Sequence, residues 1–397
     1  MDPLTHFLTG ACVGRAGFNR RTAYATVAAV LAAEAADIDV VMGFAGPVQE
    51  LRAHRAVTHA LVATPILAAL VVGVVWLYHR MHQAYRKRQE SRSQSRDVLD
   101  LLIEDQGART GSGAANPPRK PPLAQPVDWL WLYIAALAAA LTHPLLDWTN
   151  NYGIRIFYPF SHRWYAGSLM FIVEPELWAI LLLAVVVPWL LGLTDREIGA
   201  RWPPFRGRIW ACFALAAMTA LIFWRLAERE EGMALLANTQ VATEPVQRMT
   251  LEPYPLNPYR WHAILETKNY YQTAEVDTWD PESLAAITTD PHTDVIYKPT
   301  VTPAVEAARR TFLGRVYLSW GGPWAVVRDV GPVAEEALKP PVLPPGRTWT
   351  TVTFTNLRFD YPVLPSQSSH STPLSGWVYI VDGREEAGQG MGGRVQR

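Results

Sequence analysis

Cysteine is nearly missing. Cys12 and Cys212 are the two in 397 residues, and both sit inside apolar stretches. A disulfide framework and a cysteine-bound zinc are therefore unsupported. Any metal here must be held by imidazole and carboxylate, which favours zinc, with manganese or iron as alternatives. Net charge is missing as well: 36 Lys and Arg balance 36 Asp and Glu. No global field exists to attract nucleic acid, and none is expected as a partner. Charged residues make up 18% of the chain against 49% hydrophobic, too few for an ordinary soluble domain and too many for membrane throughout. The opening Met-Asp-Pro has no basic run before the first apolar stretch, which argues against a cleaved signal peptide.

What is present is long apolar runs. Segments 57–78, 127–146, 174–193 and 208–227 reach the roughly 20 residues that cross a bilayer. A fifth, 22–42, is rich in Ala and Val but carries Glu34, Asp37 and Asp39 towards its end. The stretch 4–18 is too short to cross alone; Asp2 and Pro3 predict its N-cap and first turn. Lys and Arg gather at Arg15, Arg20 and Arg21, along 79–126, and between Arg196 and Arg208, which marks those connections as cytoplasmic. The other loops, and everything after 228, are then outside. The expected fold is a membrane all-α bundle, about five transmembrane helices plus a short N-terminal helix, followed by an extracytoplasmic α+β domain. Residues 1–228 form the membrane domain, with 86–126 as a disordered cytoplasmic linker rich in charge, Ser, Gly and Pro. The patterns RVYLSW, AVVRDV, TWTTVTFTNLRF and GWVYIV predict strands within 245–385, a helix is expected near 302–312, and 386–397 reads as a flexible tail.

Under this topology several ionisable residues arrive at the outer membrane face. His6 opens the short helix, and Asp37 and Asp39 close the next segment. His54, Arg55 and His59 form His-Arg-x-x-x-His before the following span. His143 and Asp147 are four apart, on one helix face, and Glu174 begins a later span. Ionisable groups at membrane depth are costly and turn towards the bundle interior, and imidazole and carboxylate converging from several helices are how bundles build metal sites. The three Thr-His pairs at 5–6, 58–59 and 142–143 contribute through their histidines, because neighbours on a helix point about 100° apart. Arg55 is a candidate for holding an anionic substrate group, and His162, in an external loop, for protonating a leaving group. His79, His82, His262, His292 and His370 are expected to play no part.

The ordered series MDPLTHFLTG, AADID, HRAVTH, LTHPLLDWTNNYG and YPFSHRW resembles the YdjM-like family of inner-membrane metal-dependent hydrolases, over about residues 1–195. The resemblance implies metal ligands among His6, Asp37, Asp39, His54, His59, His143 and Asp147. Ala56 stands where that family usually has Gly, and Glu174-Pro175 where Asp-Pro is frequent. The function expected is metal-assisted hydrolysis of an ester or phosphoester in a lipid or lipid-linked substrate at the outer face of a bacterial inner membrane. One or two ions would activate water, with Asp39 or Glu174 as general base. A transporter would place polar residues mid-span, whereas the middles here are apolar; a non-catalytic membrane scaffold is the other alternative.

Overall fold

The computed structural model describes residues 1–104, 125–197, 207–239, 241–282, 284, 295–335, 338–361 and 374–396. The chain opens with helix α1 (Pro3–Arg15), capped by the Asp2 side chain, which accepts from Thr5 N, with proline in the first turn. Helix α2 (Ala25–Glu34) lies against it and continues as a 3-10 run over Ala35–Ala45. The fifth expected span is therefore divided. The α-helical part has 10 residues, roughly 15 Å at 1.5 Å per residue, half the depth of a bilayer core. Its five buried alanines pack it inside the bundle, and the acidic stretch beyond turns inward.

Short helix α3 (Pro47–Ala53) follows, then turns, then α4 (Thr64–Glu104). The helix starts at Thr64 rather than near 57: Thr64 Oγ1 donates to Leu61 O, and Pro65 suits a first turn. Residues 86–104 extend α4 where an irregular linker was expected. Arg, Lys, Gln and Glu are good helix formers, and Arg86 meets Glu90 one turn on at 3.9 Å. The rest of that linker, 105–124, lies outside the described residues. Helices α5 (Trp129–Thr149), α6 (Pro175–Glu197) and α7 (Arg208–Asn238) complete the bundle.

Among the described residues, four helices are long and apolar enough to cross a membrane, over Thr64–Gln94, Trp129–Thr149, Pro175–Thr194 and Arg208–Asn238. Large apolar side chains cover their outward faces, among them Ile66, Leu70, Val74, Leu183, Phe213 and Phe223, as a lipid solvent requires. Alanines and Leu132 fill the seam between α1, α2, α4 and α5. The start of α4, the end of α5, the start of α6 and the end of α7 share one end of the bundle.

The C-terminal half continues from α7 into two antiparallel sheets. The first runs β1 (Arg248–Pro253), β2 (Arg260–Glu266), β3 (Tyr270–Asp277) and β4 (Val295–Tyr297), in chain order. The second runs β5 (Ala325–Asp329), β6 (Trp349–Asn356), β7 (Gly376–Val381), β8 (Glu385–Met391) and β9 (Arg394–Val395). Between them lie α8 (Pro303–Arg310) and α9 (Phe312–Gly321). The segment RVYLSW is therefore helical: Thr311 caps it, and Leu313, Val316, Tyr317 and Trp320 recur at helical spacing on the buried face. The expected flexible tail is also ordered up to residue 396. Six residues of β8 pair with β7, and Gly392 and Gly393, both at positive φ, turn the chain into β9. Val48 and Leu51 of α3 join the core of the second sheet beside Trp320 and Phe354, so the two halves share packing.

Candidate metal centre

Five side chains converge where α1, the 3-10 run, the loop before α4 and the last turns of α5 meet. His6, His59, His143 and Asp147 are fully buried; the Asp37 side chain is 24% exposed and reaches solvent from the same cluster. The Nε2 atoms of His59 and His143 lie 3.1 Å apart. Asp147 Oδ2 is 3.2 Å from His59 Nε2 and 3.4 Å from His143 Nε2. Asp37 Oδ1 is 3.3 Å and 3.5 Å from the same two nitrogens.

Those five separations run along five edges of a four-atom figure. A tetrahedral ion with bonds of about 2.0–2.1 Å has donor–donor edges of about 3.3–3.4 Å, so each of the two carboxylate oxygens sits at ligand spacing from both nitrogens. The hydrogen bonding agrees. His143 Nδ1 is 2.5 Å from Ala33 O, and His59 Nδ1 is 3.2 Å from Asp39 Oδ2. Each ring thus has an acceptor for an Nδ1 proton, and in that tautomer Nε2 turns a lone pair to the cluster, the arrangement of metal-bound histidine. Asp147 Oδ2 and both ring nitrogens of His6 are buried without a hydrogen bond. The His6 ring stacks on His143 with centroids 3.7 Å apart, and its Nε2 lies 3.4 Å from Asp147 Oδ1. Two ligand-spaced triads result, His59–His143–Asp147 and His6–Asp37–His143; these buried groups could hold a metal ion.

Other expected site residues surround the cluster. Asp39 is 7% exposed and accepts from Arg55 N at 2.9 Å and Thr58 Oγ1 at 3.1 Å, while His54 Nδ1 lies 3.0 Å away. It braces His59 from behind. Arg55 is buried, with φ +55°, and its guanidinium meets Asp147 Oδ1 at 3.1 Å and Asn150 Oδ1 at 2.9 Å, over the Tyr152 ring. It is committed to a carboxylate of the protein itself rather than open to a substrate anion. The Met1 amino group also bonds Asp147 Oδ1.

Glu174 and His162 are not brought to the cluster. Glu174 Oε1 accepts from Phe171 N at 2.5 Å at the start of α6. Exposed His162 stacks edge-on to Tyr158 and lines a separate cavity. Of the histidines expected to be uninvolved, His79 contacts Tyr24 and Gln83, and His262 lies on β2 with Nε2 3.1 Å from Leu357 O; His82 stacks on Tyr78. His292 and His370 lie outside the described residues.

Sequence reasoning missed the loop after α5. Asn150 holds Arg55 and accepts from Tyr152 N at 2.9 Å, while Asn151 donates to Tyr361 Oη at 3.0 Å. Arg358 donates to Asn151 O at 2.9 Å and Trp320 O at 3.0 Å, and Trp320 Nε1 to Tyr152 O at 3.0 Å. The Asn-Asn-Tyr-Gly turn is visible in the sequence as polar residues after a span, but its partners in the C-terminal half lie more than 160 residues downstream.

Among known proteins, a stretch of 200 residues is 25% identical to the uncharacterized protein YfhP of Bacillus subtilis, covering 48% of this chain and 47% of that protein. The chain thus matches about half the length of that curated relative. No solved structure matches it. The family match takes in every residue of the cluster and stops before β1: the YdjM inner membrane protein family covers residues 1–232, more than half of the chain, and the protein belongs to that family.

Proposed function

We propose that this protein is a membrane metal-dependent hydrolase holding one divalent cation, with zinc the best fit, between His59, His143, Asp37 and Asp147. The observation that carries the reading is the set of five donor separations between 3.1 and 3.5 Å around the two Nε2 atoms. Both triads need His143, whose Nδ1 is taken by Ala33 O. A single imidazole nitrogen serves one ion, which favours one cation with His6 as a further donor over two.

A cation held there supplies Lewis acidity: it acidifies water and polarises a scissile carbonyl or phosphoryl group. The chain's own residues set that chemistry up. Asp39, fixed by Thr58 and the Arg55 amide, orients His59 and raises its basicity. Arg55 takes Asp147 Oδ1 and leaves Oδ2 for the cation. Asp37, the one partly exposed member, marks the side from which water and substrate enter. With four polar partners on its carboxylate, Asp39 is a positioning residue and not the general base; Glu174 lies away from the cluster. The site's place at a bundle end flanked by lipid-facing helices supports a substrate presented by the membrane, an ester or phosphoester in a lipid or lipid-linked molecule. The basic loops at the opposite end support an extracytoplasmic location.

Metal analysis of the detergent-purified protein beside His143→Ala tests the centre. Near-stoichiometric zinc, manganese or iron in the wild type and its loss in the variant are expected; equal metal content in both would sink the proposal. A metal-loaded protein inactive on every lipid ester and phosphoester offered would leave a scaffold as the better reading.

A further inference from the structure

A second cluster of charge stands apart from the metal centre. A cavity of about 390 Å³ lies between the loop after α5, helix α3 and helix α9, lined by Arg52, Arg155, His162, Arg315 and Ser319 on its polar side, with Phe312 and Val316 beside them. No carboxylate lines it among the described residues. Three guanidinium groups in one cavity repel each other, and the fold supplies no anion there to offset them.

The three arginines come from three elements and are held in place. Arg52 lies over the Phe312 ring at 5.9 Å. Arg155 is 8% exposed, stacks on Trp164 at 4.5 Å and donates to Arg52 O at 3.3 Å, while its Nε is buried without a hydrogen-bond partner. Arg315 and Ser319 are one turn apart on α9, and Arg315 Nη1 donates to Arg310 O at 2.5 Å. A buried, stacked guanidinium with an unused donor, flanked by two further arginines and a hydroxyl, suits a tetrahedral anion that offers oxygens in several directions.

We infer that Arg52, Arg155 and Arg315 form a binding site for a phosphate group. The site is distinct from the His–Asp cluster and does not depend on the hydrolase reading. Phe312 and Val316 on the same wall suit a phosphate carried on an apolar body, and α9 of the C-terminal half closes the site against α3 of the membrane half. This gives the C-terminal half a recognition role in which it contributes side chains to a ligand site.

Calorimetric titration of the detergent-purified full chain, with inorganic phosphate in one arm and dihexanoyl phosphatidate in the other, tests the inference. The variants are Arg52→Gln/Arg315→Gln, which alters two exposed side chains, and His143→Ala, which breaks the metal centre. Binding to the wild type and to His143→Ala is expected, weakened about tenfold or more in the double variant. Binding of both ligands would mean that the phosphate group suffices; binding of phosphatidate alone would mean that the source is a lipid headgroup, and both outcomes support the site. Binding of neither ligand overturns it, as does a double variant that binds like the wild type. Loss of binding in His143→Ala with retention in the double variant also overturns it, because the anion would then sit at the His–Asp cluster.

Discussion

Asp39 touches no atom of the four-donor figure, yet it contacts His54, His59, Thr58 and the Arg55 amide. Asp39→Asn removes the charge behind His59 while keeping the shape, so metal affinity should fall about 10–100-fold, the usual cost of losing such a partner. Competition with a chromophoric chelator would read this out, and an unchanged affinity would remove Asp39 from the site. At this scale the sequence was most informative where chemistry and spacing coincide. His143 and Asp147 share a helix face by being four apart, and His6 follows a capped Asp-Pro start. Arg55 is the contrary case: nothing in its neighbours signals that its partners are Asp147 and Asn150, 92 and 95 residues on. Glu174 was drawn in by its membrane end alone, and position along the bundle axis does not fix position around it.

The contact between α1 and α2 sets the depth of the cluster. A Cβ on Gly10 would lie 2.8 Å from Ala29 O and 2.8 Å from the Ala33 Cβ, and one on Gly14 would lie 2.6 Å from the Thr26 Cα. Small residues four apart let helix backbones approach in this way. Ala33 also supplies the carbonyl that orients His143. Gly10→Val should therefore push α2 outward and lose most of the bound metal, whereas Gly73→Ala, with open space at its Cβ, should keep it. Equal metal content in the two purified variants would break the link between packing and site. Elements were legible where pattern and caps agreed, as in α1, α5, β6 and β7. They were misread where composition was ambiguous: the alanine-rich 22–42 looked like a span because alanine is apolar, yet its small side chains serve buried helix contact. RVYLSW alternates like a strand but buries its residues at helical spacing once Thr311 caps it.

At the level of the whole molecule, sidedness is open to direct test. In a background with Cys12 and Cys212 replaced by Ser, Val342→Cys in the C-terminal half, 99% exposed, should react with an impermeant maleimide in intact spheroplasts. Tyr85→Cys, 61% exposed on the extension of α4, should react only after lysis. The reverse pattern would put the metal centre on the cytoplasmic side. The C-terminal half should also respond to acid. Burial pushes His262 down to about 4, against about 6.5 for an unfolded imidazole. Its folded form stays neutral while the unfolded form takes up a proton, so its contribution is complete above pH 6.5 and is lost as pH falls towards 4. The loss amounts to roughly 3 kcal/mol. Thermal melts at pH 7 and pH 5 should differ less in His262→Gln than in the wild type, and equal differences would rule out this histidine as the cause. The joining of the halves could not be read from sequence, because α3 enters the core of the second sheet and Arg358 reaches Asn151 across 207 residues.

That joining has a consequence for length. Asn150 serves Arg55 on the membrane side, Asn151 serves Tyr361 and Arg358 on the other, and Tyr152 lies under Arg55 while its carbonyl holds Trp320. The turn is fixed by Asn150 Oδ1, which also accepts from Tyr152 N and Gly153 N, so each amide has one neighbour it can face. One residue inserted between Thr149 and Asn151 would therefore present each amide to the wrong neighbour and fail both halves at once. Substitutions here can be absorbed one side at a time. The count of residues cannot, and this short turn works as a register mark that keeps the metal centre and the C-terminal half in step.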